Sequence, residues 1–213
     1  NERFKQPVVI ENRGGANGTI GTAYVAKSAL ADGHTLLFIP SGYAVNPSLY
    51  PALPYDQARD LAAVTQLVAG PLTLVVHPSL PAKNVRELIA LAKARPGELN
   101  YGSSGIGSLP HLAGEWFALS AGVKMIHVPY RGQAPALTDL IAGQVQVMFD
   151  NLPASLPHIQ AGKLRALAVA GKTRAPSLPN ATAQRLRAAS CKGIGADRPR
   201  SKKSTFPGTP SHR

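Results

Sequence analysis

The chain has 213 residues, 44% of them apolar, a mean hydropathy of −0.04 and a formal net charge of +12. No apolar run reaches the roughly 18 residues of a membrane-spanning helix, and the length suits one domain or two small lobes. Residues 1–171 are nearly balanced, with 13 Lys/Arg against 10 Asp/Glu, while residues 172–213 carry 10 Lys/Arg against Asp197 alone. A basic field able to hold polyanions therefore belongs to the tail, and the body offers no specific nucleic-acid surface.

The start, Asn1-Glu-Arg-Phe-Lys, has neither a Met nor an apolar leader, so the N-terminus is expected to be cut. Pro7–Glu11 is an apolar run of strand type, followed by the turn Asn12–Gly18. Thr19–Leu30 places Ile20, Ala23, Tyr24 and Lys27 at helical spacing. His34–Ile39 predicts a buried strand, Pro40–Asn46 a loop, and Leu61–Val68 and Leu72–His77 two more strands. Asn84 caps an amphipathic helix with Val85, Leu88, Ile89 and Ala92 on one face, which Pro96-Gly97 ends.

Leu99–Glu115 is the stretch around which the rest is organised. It predicts a strand end, a glycine-serine loop and a helix start, with Ser108 as N-cap and Pro110 in the first turn. Such a helix start presents unpaired N–H groups and partial positive charge, suited to a carboxylate or phosphate. Strands at Lys124–Val128, Val145–Phe149 and Leu164–Ala170 alternate with helices at Ala134–Ala142 and Pro153–Ala161. This alternation predicts an α/β fold with parallel sheets and helices on both faces. The pattern stops after Gly171, and the residues that follow are expected to be disordered. The only cysteine, Cys191, lies there, so no disulfide or thiolate chemistry is available to the body.

Four loops with small polar residues leave strand ends: Asn12–Gly18, Ser41–Asn46, Gly102–Ser108 and Asp150–Asn151. At one sheet edge they would enclose a small polar ligand. Enzyme motifs are incomplete. Gly102 and Ser104 begin a Gly-x-Ser-x-Gly elbow, but Ile106 replaces the second glycine. A dinucleotide loop from Gly105 would need glycine at Pro110, and Ala166–Thr173 matches a phosphate loop only with apolar strand residues in its middle. The six histidines never fall at metal-ligand spacing, so no metal, cofactor or catalytic residue is expected. His111, one turn into a helix, could face a ligand, and Asp150 could accept from a ligand ammonium or order a water. Trp116 and Phe117 are expected in the core.

Val9-Ile-Glu-Asn-Arg-Gly-Gly-Ala-Asn-Gly18, Asp32-Gly-His-Thr-Leu-Leu37, Asn46-Pro-Ser-Leu-Tyr50, Pro54-Tyr-Asp56, His127-Val-Pro-Tyr130, Ala134-Pro-Ala-Leu-Thr-Asp-Leu140 and Met148-Phe-Asp-Asn151 occur in order between Gln6 and Pro179. With these motifs the chain resembles the tripartite tricarboxylate transporter substrate-binding proteins, the Bug family of periplasmic receptors. The resemblance implies a periplasmic-binding-protein-like (type II) fold: two α/β lobes joined by a hinge that close on a small carboxylate. It also implies a periplasmic, monomeric receptor that hands its ligand to transporter membrane subunits and does no chemistry. Carried over, the family's loop contacts fall on Gly15, Ser41, Asn46, Gly102, Ser103, Ser104, Gly105, Ser108 and Asp150, and His111 joins them as a candidate from its place in the helix. The expected division is a partial first lobe over 1–77, a second lobe over 78–171 and a basic tail over 172–213, with a hinge near Val76–Pro78. Family members begin with a leader, a strand and a Pro-Gly-Gly loop, and continue past Leu178-Pro179 with strands returning to the first lobe. A receptor fragment is therefore expected. The alternatives are a small hydrolase using Ser104, or polyanion binding through the tail.

Overall fold

The computed structural model describes residues 5–171, 175–178 and 181–184. Six strands form one sheet: β1 (Leu72–Val76), β2 (Asn100–Ser103), β3 (Ile126–Pro129), β4 (Val147–Asn151), β5 (Arg165–Ala170) and β6 (Thr182–Gln184), in the order β3-β2-β4-β1-β5-β6. β2 runs parallel to β3 and β4, and β5 parallel to β6, but β1 is antiparallel to both its neighbours, β4 and β5. The sheet is thus mixed, not parallel as predicted. The cause is connectivity. β1 ends at the edge where β2 begins, so the connection through α3 (Val85–Ala94) does not carry the chain back to the opposite edge, as a β-α-β crossover must to give parallel pairing.

Side chains on β1 alternate between two cores, as the two-residue period of a strand requires. Leu72, Leu74 and Val76 pack with Tyr101, Val147 and Phe149 of the neighbouring strands, Leu88 and Ala92 of α3, and Phe117 of α4 (Leu109–Ala121). Val75 packs on the other face with Met148 and with Ala136, Leu137 and Leu140 of α5 (Gln133–Ile141). Each fully buried aliphatic or aromatic side chain contributes about 1.5–3 kcal/mol. α6 (Leu152–Gln160) brings Leu152 against Val169, Ala175, Leu178 and Ala181. The chain therefore stays packed past Gly171, and β6 lies inside the stretch expected to be disordered. Residues 185–213, with most of the basic tail and Cys191, lie outside the described residues.

The caps are those the sequence predicts. Asn84 accepts from the Glu87 amide at 3.0 Å, and Ser108 from the His111 amide at 3.4 Å. Phe117 is buried, but Trp116 is 42% exposed and not core. Helical spacing places the two neighbours 100° apart, and only Phe117 faces the sheet.

Residues 5–71 depart most from expectation. They form a 3-10 turn at Ala16–Gly18, α1 (Thr19–Lys27), a second 3-10 turn at Ser41–Val45 and α2 (Asn46–Leu49), with no strand. The segments expected as strands at Pro7–Glu11, His34–Ile39 and Leu61–Val68 make no ladder. Their apolar side chains are open, Val9 at 87% and Phe38 at 73% exposure. An apolar run becomes a strand only where a neighbouring backbone completes its hydrogen bonds, and the described residues supply none here. On α1 the buried residues are Thr19 and Thr22, while Ile20 is exposed.

Candidate functional site

Parallel pairing aligns the carboxyl ends of β2, β3 and β4, and antiparallel pairing brings the start of β1 to the same edge: Leu72 opposes Asn151, and Thr73 opposes Asp150. Three helices begin there. Ser104–Ser108 leads from β2 into α4, Tyr130–Gly132 from β3 into α5, and Asn151 from β4 directly into α6. Three helix N-termini at one edge create a positive field suited to an anion.

The loop after β2 is built from within. The Ser103 hydroxyl accepts from the Gly105 amide at 3.1 Å and lies 2.6 Å from His127 Nε2. The Gly107 amide donates to His111 Nδ1 at 3.2 Å, and the Ser108 amide to the Gly105 carbonyl at 3.2 Å. Gly105 and Gly107 have φ of +125° and +79°, conformations that L side chains rarely adopt. Below the loop the His111 and His127 rings stack at 4.1 Å, and Tyr101 stacks on His127 at 4.9 Å while its hydroxyl donates to Glu115. Burial, reinforced by the nearby His111, holds the His127 imidazole down at about 4, so it is neutral at pH 7. Burial and the Glu115 contact raise the Tyr101 phenol.

These bonds determine which amides remain available. At α4, Pro110 has no N–H and the His111 amide is bound by Ser108, which leaves Leu109. At α5 the N-cap is Gly132, with no side-chain cap, so the Gln133 and Ala134 amides are free. The uncapped start of α5 is thus a more open anion site than the capped start of α4 around which the sequence reading was organised. Its signal was a glycine where Ser, Thr, Asp or Asn would normally cap a helix.

The predicted residues separate into three groups. Gly102, Ser103, Ser104, Gly105, Ser108, His111 and Asp150 all lie at this edge or in its loop. Of these, Ser103 is fully buried with its hydroxyl engaged, and the Ser108 hydroxyl is engaged in capping, while Ser104 is half-buried and makes no side-chain bond within the described residues. Asn46 is brought to the loop through Asn17, whose Nδ2 donates to the Asn46 side chain at 2.7 Å, the Gly42 carbonyl at 3.0 Å and the Gly107 carbonyl at 3.1 Å. Gly15 and Ser41 are exposed and make no such contact. Asn17 was not singled out from the sequence, because its place in an ordinary Asn-Gly turn conceals a side chain that ties three loops together. A cavity of about 550 Å³ beside Lys83 and Arg165 lies at the opposite edge, where Arg165 is occupied by the Leu80 and Ala82 carbonyls. No cluster of His, Cys, Asp or Glu suited to a metal ion occurs among the described residues.

Residues 1–200 match the family model described as the tripartite tricarboxylate transporter family receptor. The chain belongs to this family. It is 45% identical over 176 residues to Protein BugT of Bordetella pertussis, covering 82% of this chain and 54% of that protein. It is 40% identical over 178 residues to a protein from the tcbD-tcbE intergenic region of a Pseudomonas species, covering 84% and 53%. Among solved structures it resembles Rpa4515 of R. palustris with adipate, at TM-score 0.80 and 43% identity, over 85% of this chain and 61% of that one. It also resembles MatC of Rhodopseudomonas palustris with bound malate, at TM-score 0.77 and 31% identity, over 85% and 62%. The fold is that of this family of periplasmic binding proteins, and the chain spans about half the length of the curated relatives it matches.

Proposed function

We propose that the protein is a periplasmic receptor for a small organic carboxylate, passed on to the membrane subunits of a tripartite transporter. The carrying observation is the uncapped N-terminus of α5 beside the Ser104–Ser108 loop, with free amides of Gln133 and Ala134 facing the edge where three helices begin. Family membership supports the reading, as do the adipate and malate in two similar structures. The protein would act with its first lobe, to which Asn17 and Asn46 belong, closing on this edge. We place the division before Leu72, because β1 is an interior strand of the sheet.

The hydrolase reading has less support. Among the described residues, no base is hydrogen-bonded to the Ser104 hydroxyl. Ser103 has one in His127, but the serine is buried, and an imidazole held at about 4 is a weak base.

Calorimetry of the full chain with succinate and with its neutral diamide tests the proposal. Succinate is expected to bind and the diamide not, with Ser104→Ala weakening succinate about 5- to 10-fold, the value of one hydrogen bond. Equal affinity for the diamide, or a covalent adduct at Ser103 or Ser104 after serine-directed phosphonate treatment, would overturn it.

A further inference from the structure

The sheet face toward α5 holds two polar groups that the amide site does not use. Thr73 and Asp150 oppose one another directly in the antiparallel register, and both are fully buried. Asp150 Oδ1 accepts from Gln133 Nε2 at 2.5 Å. Asp150 Oδ2 and Thr73 Oγ1 have no hydrogen-bond partner among the described residues. Directly opposed residues in an antiparallel pair project side by side, with Cβ atoms about 4.5–5.5 Å apart, so Thr73 and Asp150 are side-chain neighbours on this face. No cation answers the carboxylate: the four ion pairs among the described residues engage Glu11, Asp60, Asp32 and Asp56. Native proteins seldom bury two unpaired polar atoms together without a use for them.

The same residue joins this niche to the amide site. Gln133 offers its backbone amide at the start of α5, while its side chain spans Asp150 and Asn151, accepting from Asn151 Nδ2 at 3.3 Å. We infer that Asp150 and Thr73 are specificity-determining residues that select carboxylates bearing a hydroxyl or ammonium on the carbon next to a carboxylate. The inference rests on the reading that a carboxylate sits at the Gln133 and Ala134 amides.

The chemistry suits both donors. A hydroxyl donates to Asp150 Oδ2 and accepts from the Thr73 hydroxyl; an ammonium donates to both oxygens. A methylene in the same place leaves both unpaired, and sites built to bond a polar substituent discriminate strongly against analogues lacking it. Asp150 has no exposed surface, so the substituent enters as Gln133, half-buried, swings aside. Burial pushes the Asp150 carboxyl up to about 6, offset in part by the Asn151 amide and Gln133, which is the state of a carboxylate short of donors.

Succinate, L-malate and L-aspartate share one four-carbon skeleton and differ only at this position. Calorimetry of the full chain at pH 7.5 is expected to show malate or aspartate, or both, binding at least 10-fold tighter than succinate. The tighter of the two identifies the niche as a hydroxyl or an ammonium site. Asp150→Asn and Thr73→Val are each expected to reduce the preference to within about 3-fold while still binding succinate, which shows that they fold. If one variant no longer binds succinate, the other decides. Three affinities within 3-fold in the native chain, or a preference unchanged in a variant that binds succinate, would overturn the inference alone. If none of the three ligands binds, the carboxylate reading fails and the inference fails with it.

Discussion

Tyr101 is pressed between α4 and the His127 imidazole, and its neighbours show what the site requires of single residues. A Cβ at Gly114 would lie 2.3 Å from the Tyr101 ring, so α4 has glycine where the ring crosses it. Beneath that ring, His127 couples the loop to pH. Its imidazole is held at about 4, below the ordinary 6.5, chiefly by burial and then by His111. A depressed folded value means stability fully present above the unfolded value and lost as pH falls through the folded one. The window is therefore pH 6.5 down to 4. Urea unfolding of the native chain and of His127→Gln is expected to show the native chain's advantage shrinking across this window. An advantage that stays constant from pH 7 to 4 would contradict a neutral, buried His127. The sequence shows the type of residue at such positions but not its partner: His127 alternates with apolar residues in a strand, and nothing in that pattern points to Ser103 or His111.

Elements with a complete local code were legible. α3 has a capping residue, an acidic residue three positions on and an apolar stripe, and the structure contains each, with Glu87 also accepting from the Lys83 amide at 2.7 Å. Asn84→Ala is expected to lower stability by about 1 kcal/mol, measured by urea denaturation, with little change in ligand affinity because α3 lies away from the site edge. The glycine-serine loop was legible for the same reason, since positive-φ glycines and an N-cap serine are local signals. Strand direction was not. β1 has the same apolar run whether it pairs parallel or antiparallel, and only the position of its neighbours decides. Thr73 stayed unremarked because, within Leu72–Val76, a threonine is an ordinary strand residue until Asp150 is placed opposite it.

At the scale of the whole molecule, one sheet with three apolar clusters accounts for the buried apolar residues from Leu72 onward, while residues 5–71 hold apolar runs open to solvent. Among the described residues before Leu72, the regular elements are short helices and 3-10 turns. What joins the two parts at the site is Asn17, bonded across 90 residues to Gly107. The account depends on backbone amides at this edge gripping an anion. Amide proton and nitrogen shifts on titration of the full chain with succinate test that most directly. The largest changes are expected at Gln133 and Ala134, then at Ser104, Ile106 and Leu109, whose amides the fold leaves free. Shifts confined to the opposite edge around Lys83 and Arg165, or none at α5 when succinate is bound, would contradict it.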